Sequence, residues 1–158
     1  MPTVAYCGLV QLPDDPWPEL ICDSYLDQVG EELCEPHDLY NSPAVVLCHD
    51  TSADPLFVYA NLAAQHLWRR EWRDFIGWPS RLTAPTATQA QRAAALNTTA
   101  VVSGYEGTRI DSYGQSFTIH NATVWSVFIA GIRVGQAATF TEWSLPLCAD
   151  VTRGGPVG

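Results

Sequence analysis

The run SFTIHNATVWSVFIA, residues 116–130, is fifteen residues long, rich in β-branched and aromatic side chains, and free of proline and glycine. Such residues lose rotamer freedom in a helix and pack well on a pleated surface, so the run reads as one long β-strand, long enough to bend. Alternation puts Phe117, Ile119, Asn121, Thr123 and Trp125 on one face and Thr118, His120, Ala122, Val124 and Ser126 on the other. A bend or bulge would switch the faces part-way, so both assignments stay open. If the even face turns inward, His120 is an internal acid or base; if the odd face does, Thr123 and Trp125 line the interior.

A strand of this kind needs partners, and the chain supplies them. Ser42-Pro43 opens AVVLCH, the polar stretch Asp50 to Pro55 turns the chain, and LFVYA follows as a second strand. GYEGTRI precedes the long strand through the turn Ser112-Tyr113-Gly114-Gln115. Ala130 to Gly135 reads as another turn, and QAATFTEW as the last strand.

Helical patterns fill the remainder. Trp17, Ile21, Tyr25, Val29 and Leu33 recur at helical spacing, which predicts an amphipathic helix from Trp17 to Glu35 with an acidic outer face, stopped by Pro36. Asn61 is a candidate N-cap for NLAAQHLWRR, EWRDFIGW reads as a short helix, and Thr88 to Val101 is rich in helix formers. The expected domain spans 17–143, between an irregular arm (1–16) and a flexible tail (144–158). The fold class is α+β, an antiparallel sheet with short helices on one face and an N-terminal helix.

Charge narrows the partners. The net charge is −9, every basic residue is Arg, none precedes Arg69, and eleven of the seventeen carboxylates lie in the first 55 residues. That balance repels phosphate backbones and excludes direct nucleic-acid binding. Arg69, Arg70 and Arg73 alternate with Glu71 and Asp74 and read as a solvated helix face. No segment has the length and apolarity of a membrane span, and no basic region precedes the first apolar run, which places the protein in the cytoplasm. The five cysteines Cys7, Cys22, Cys34, Cys48 and Cys148 lack metal-ligand spacing and read as free thiols, and no metal site is expected.

The stretches SPAVVLCHDTSADPLFVYANLAAQHLW, PSRLTAP, GYEGTRIDSYGQSFTIHNATVW and GQAATF, in that order, resemble the MEKHLA family over about residues 20 to 141. This is a PAS-like group that occurs as small bacterial proteins and as the C-terminal domain of plant class III homeodomain leucine-zipper transcription factors. The resemblance implies a curved five-stranded antiparallel sheet, a pocket between sheet and short helices, and a role in sensing small molecules or in protein association. It also makes Gln136 and Thr139 pocket positions. The apolar SVFIAGIRV and His120 depart from the family pattern.

The function expected from these residues is a small-molecule-binding sensor or regulatory module, with Tyr59, His66, Arg81, Arg109, Trp125 and Gln136 as ligand contacts. One alternative is a cofactor-independent isomerase, cyclase or lyase, in secondary metabolism, drawing on His49, Asp50, His66, His120 and Arg109 for proton transfer and anion stabilisation. Another is haem held by His66, although no recognisable cofactor motif is present and the cofactor is otherwise unknown. The bland readings stand beside these: His49 and Asp50 as turn formers, His66 as a core histidine, Asn61 as a cap, and Arg109 paired with Asp111 or Glu106. A homodimer through the row Trp17, Ile21 and Tyr25 of the N-terminal helix is the remaining partner expectation.

Overall fold

A computed structural model of the chain describes residues 15–146. The order is α1 (Trp17–Val29), β1 (Val45–His49), β2 (Phe57–Ala60), α2 (Leu62–Trp68), α3 (Trp72–Phe75), α4 (Gln89–Leu96), β3 (Val102–Ile110), β4 (Ser116–Ile129), β5 (Ile132–Phe140) and β6 (Glu142–Ser144). The strands run β2-β1-β5-β4-β3, and every recorded pairing is antiparallel. The sixth strand, β6, continues β5 beyond Thr141 and pairs with the first part of β4.

Both faces of the sheet are covered. On one, Val46, Cys48, Tyr59, Trp125 and Val127 pack with Ile21, Cys22 and Tyr25 of α1. On the other, Val45, Leu47, Phe57, Phe117, Ile119 and Phe140 pack with Ala64 and Trp68 of α2 and Phe75 of α3. The aromatic rings there meet edge to face, with Trp68 5.2 Å from Phe117 and Phe57 5.1 Å from Phe75 between centroids.

Asn121 decides which residues of β4 face which layer. Its φ is +55°, and Tyr105 opposes Ala122 while Gly107 opposes Ile119, so β4 carries one extra residue there. Before the bulge the odd residues Phe117 and Ile119 face α2; after it Ala122 and Val124 line that side, and Trp125 and Val127 turn to α1. Neither simple alternation holds for the whole strand.

Several boundaries differ from expectation. α1 ends at Val29, because Gly30 adopts φ +92° and donates its N–H to the Leu26 carbonyl, closing the helix well before Pro36. The helix expected over Thr88–Val101 is limited to Gln89–Leu96. β5 begins at Ile132, since the turn needs only Ala130 (φ +48°) and Gly131 (φ +82°), a pair of left-handed residues that matches the twist of a hairpin. Gly135 is therefore a strand residue. A Cβ there would lie 2.7 Å from the His49 carbonyl oxygen, so glycine permits the close approach of β5 to β1.

The row proposed for dimerisation is committed to the sheet: Ile21 and Tyr25 are buried and Trp17 packs against the same core. The Arg cluster is also engaged within the chain. Arg69 pairs with Asp111 at 3.3 Å, Arg70 lies 4.0 Å over the Trp78 ring, and Arg73 pairs with Glu71. The arm 1–16 lies outside the described residues up to position 14, and the tail beyond 146 does too.

Candidate functional site

A central cavity of about 40 Å³ lies between the sheet and the helices α2 and α4. That is room for about three water-sized groups. Its walls are apolar on the α2 side, through Leu47, Phe57, Trp68, Ile119 and Phe140. Its polar side is formed by His49, Arg92, Tyr105, Arg109 and Gln136.

Each polar residue is held by its element. Arg109 and Tyr105 stand on the same face of β3, with Gly107 between them; a Cβ at Gly107 would lie 2.9 Å from Arg109 Nη1, so glycine clears the guanidinium's path. Arg109 is 5 % exposed and donates from Nη1 to the Thr108 carbonyl (2.9 Å) and from Nη2 to the Tyr105 hydroxyl (3.2 Å). Gln136 donates to the carbonyls of Leu96 and Thr98, tying the end of α4 to β5, while its Oε1 meets His49 Nε2 at 3.2 Å. Arg92 projects from α4. Its Nε is buried without a hydrogen-bond partner among the described residues, and so is Trp68 Nε1.

Among the described residues the cavity therefore gathers donors and cationic groups but no carboxylate. Burial and the charge of Arg109 lower the Arg92 pKa to about 10, which leaves the guanidinium charged at neutral pH. Burial also lowers the His49 pKa from its usual 6.5, assisted by Arg92 and Arg133, so His49 is neutral at pH 7. Unfolding returns it to its ordinary value, and the unfolded chain then binds more protons below that point. The unfolding midpoint should fall as the pH drops from 7 through and below 6.5, and His49→Gln should flatten that part of the profile. Identical profiles for the two proteins would show that His49 contributes nothing to it.

The family model for the MEKHLA domain matches residues 16–145. The chain belongs to the MEKHLA family. Solved structures resemble this MEKHLA domain at low sequence identity. A PAS domain of a protein from Colwellia psychrerythraea has a TM-score of 0.56 at 12 % identity, covering 65 % of this chain and 88 % of that one. The photo-excited blue-light photoreceptor Vivid has a TM-score of 0.51 at 17 % identity, covering 63 % and 78 %. An RNA-binding light-oxygen-voltage receptor has a TM-score of 0.57 at 15 % identity over 89 % of this chain, which spans 35 % of that receptor. At these identities the likeness is one of fold, and the fold is that of PAS domains. None of the curated protein sequences compared with the chain matches it.

The MEKHLA domain brings three of the expected site residues to the cavity, His49, Arg109 and Gln136. The others lie elsewhere. Tyr59 and Trp125 belong to the core beneath α1, on the far side of the sheet. His66 is exposed and borders a surface groove with Asp111 and Trp143, neither core-facing nor in the cavity. Arg81 is half exposed and pairs with Asp54 at 3.1 Å, an exposed ion pair that holds little energy. His120 sits on β4 between Glu106 of β3 (3.2 Å) and Ser144 of β6 (2.8 Å), outside the cavity. Thr139 is likewise absent from the lining.

His49 and Asp50 do not form a His–carboxylate pair. The Asp50 carboxylate accepts from the Ser52 and Leu56 amides and the Ser52 hydroxyl, organising the β1–β2 turn, whereas His49 Nδ1 meets the Asp50 backbone carbonyl at 2.8 Å. Arg109 takes neither Asp111, which pairs with Arg69, nor Glu106, whose carboxylate lies against His120. Sequence reasoning missed Arg92, Trp68 and Tyr105. For Arg92 a signal existed: it is the one charged residue between Arg81 and Glu106, with no carboxylate one turn away on its helix. Among the described residues no helix is long and apolar enough to cross a membrane, and no cluster of His, Cys, Asp or Glu is arranged to hold a metal.

Proposed function

We propose that this MEKHLA domain is a small-molecule-binding sensor or regulatory module, with its ligand in the cavity between the sheet and α2–α4. The observation that carries this reading is the pair of buried donors without partners among the described residues, Trp68 Nε1 and Arg92 Nε, in residues that line one cavity. A buried donor left unpaired costs about 1–3 kcal/mol, and a ligand that accepts from it recovers part of that cost. α4 is the natural moving part: it has no buried residue, it is tied to β5 at its end by Gln136, which donates to the Leu96 carbonyl, and Arg92 projects from it to the cavity. A ligand that touches both would change how α4 sits, which is a signal a partner can read. The cavity is well below the 300–1,000 Å³ or so of drug-sized sites, so the ligand is compact.

The test is a fragment screen by thermal shift and native mass spectrometry on the full chain, repeated on Ala138→Met. Ala138 lines the cavity, and the larger side chain occupies the space a ligand would take. Fragments that raise the wild-type midpoint should lose their effect in the variant while its far-ultraviolet circular dichroism is retained. Shifts that persist unchanged in the variant, or a screen with no binder, would overturn the cavity reading.

A further inference from the structure

We infer that the ligand is a compact organic monoanion, a carboxylate whose head seats between Arg92 and Arg109 and whose apolar end faces the wall of Phe57, Ile119 and Phe140. The inference rests on the cavity reading above and adds the chemistry of its occupant. The first ground is the charge inventory around the two guanidiniums. The carboxylates on adjoining elements have other partners: Asp50 holds its turn, Asp54 holds Arg81, Asp111 holds Arg69, and Glu106 lies against His120. Two guanidiniums beside one cavity, both without a carboxylate partner among the described residues, repel each other and are poorly solvated; an anion between them relieves both penalties.

The second ground is donor geometry. Of the five N–H donors of a guanidinium, Arg109 commits two recorded bonds, to Thr108 and Tyr105, and Arg92 Nε has none. A planar carboxylate accepts paired bonds from such forks. The third ground is position. Arg92, Tyr105 and Arg109 line both the central cavity and the open groove between α4 and β3, so they stand where the interior meets solvent. An amphipathic ligand entering by that groove would leave its charged head at the arginines and send its apolar end inward. The enclosed apolar wall and the small volume favour a carboxylate over a phosphate ester, whose sites draw on clustered backbone amides.

Isothermal titration of the full chain at low salt with propionate, butyrate, propionamide, butyramide and methyl phosphate tests this. Propionate or butyrate should bind at least tenfold more tightly than its own amide, and Arg92→Gln should remove that preference, a loss of tenfold or more. Arg109→Gln should do the same if it folds; Arg92, on a helix with no buried residue, keeps the test independent of that. Amides that bind as well as the acids, or a preference that survives Arg92→Gln, would overturn the carboxylate assignment and leave the cavity reading standing. Tighter binding of methyl phosphate than of propionate would overturn it in favour of a phosphate ligand. Failure of all five probes would overturn the carboxylate assignment, and the cavity reading then stands or falls with the fragment screen.

Discussion

Replacing Asn61 with alanine is expected to destabilise the domain by on the order of 4 kcal/mol, read as a lowered denaturant midpoint at constant slope. Its side chain is fully buried and makes four hydrogen bonds to the backbone of separate segments. Oδ1 accepts from Val46 N (3.0 Å) and from Ala64 N (3.1 Å); Nδ2 donates to Leu39 O (3.0 Å) and Ala44 O (2.8 Å). The Ala64 bond is the N-cap of α2, worth about 1 kcal/mol by itself. The other three fasten β1 and the two segments that lead into it. Alanine leaves all four backbone groups searching for partners in an interior that water does not reach.

Asn61→Asp separates the two roles. Aspartate caps a helix as well as asparagine does, so a residue that only capped α2 would tolerate the change. Here the second carboxylate oxygen would face the carbonyls of Leu39 and Ala44 inside the core, and the loss should approach that of alanine. A loss below about 1 kcal/mol in both variants would show that the backbone re-pairs without the side chain.

The contrast between cap and clamp illustrates what could be read from residue types alone. Strands were legible where β-branched runs met turn residues, as in AVVLCH and LFVYA, because both the local propensity and the neighbouring punctuation point one way. The helix over Trp17–Val29 was legible from its apolar row, but its end was not: Leu33 continues the helical spacing by coincidence, while Gly30 takes the left-handed conformation that stops it. The cap at Asn61 follows from one residue and the helix after it. Its other three bonds depend on where residues 39, 44 and 46 arrive in space, which spacing along the chain does not encode.

The site was legible to the extent that it rides on regular alternation. Arg109 shares a face with Tyr105 because both stand on β3 at even separation, and Gln136 and His49 meet because β5 pairs with β1 in that register. Trp125 was misplaced for a specific reason. The bulge at Asn121 inverts the strand after it, so a reading that takes the long strand's aromatic residues toward the pocket sends Trp125 to the wrong side. Arg92 was missed because a helix of Ala and Gln advertises no buried face, and its guanidinium matters only against Arg109, seventeen positions later.

Trp125 gives the second large effect and the cleanest separation of structure from ligand. Trp125→Ala should cost about 4 kcal/mol, since it removes a fully buried ring and leaves a cavity that α1 cannot close. The ring packs edge-on against Tyr25, with centroids 4.7 Å apart, and Nε1 donates to the Ile21 carbonyl at 3.3 Å, so one side chain anchors the middle of α1 to the centre of the sheet. Trp125→Phe keeps most of the apolar contact and loses the donor, and should cost less than half as much. Because the ring points away from the cavity, Trp125→Phe should bind cavity ligands with affinity within about twofold of wild type, even though its unfolding midpoint falls. Hydrogen exchange should report the loss first in α1, the element that the ring holds. If Trp125→Phe instead abolished ligand binding while α1 kept its protection, the assignment of this residue to the α1 side of the sheet would be wrong.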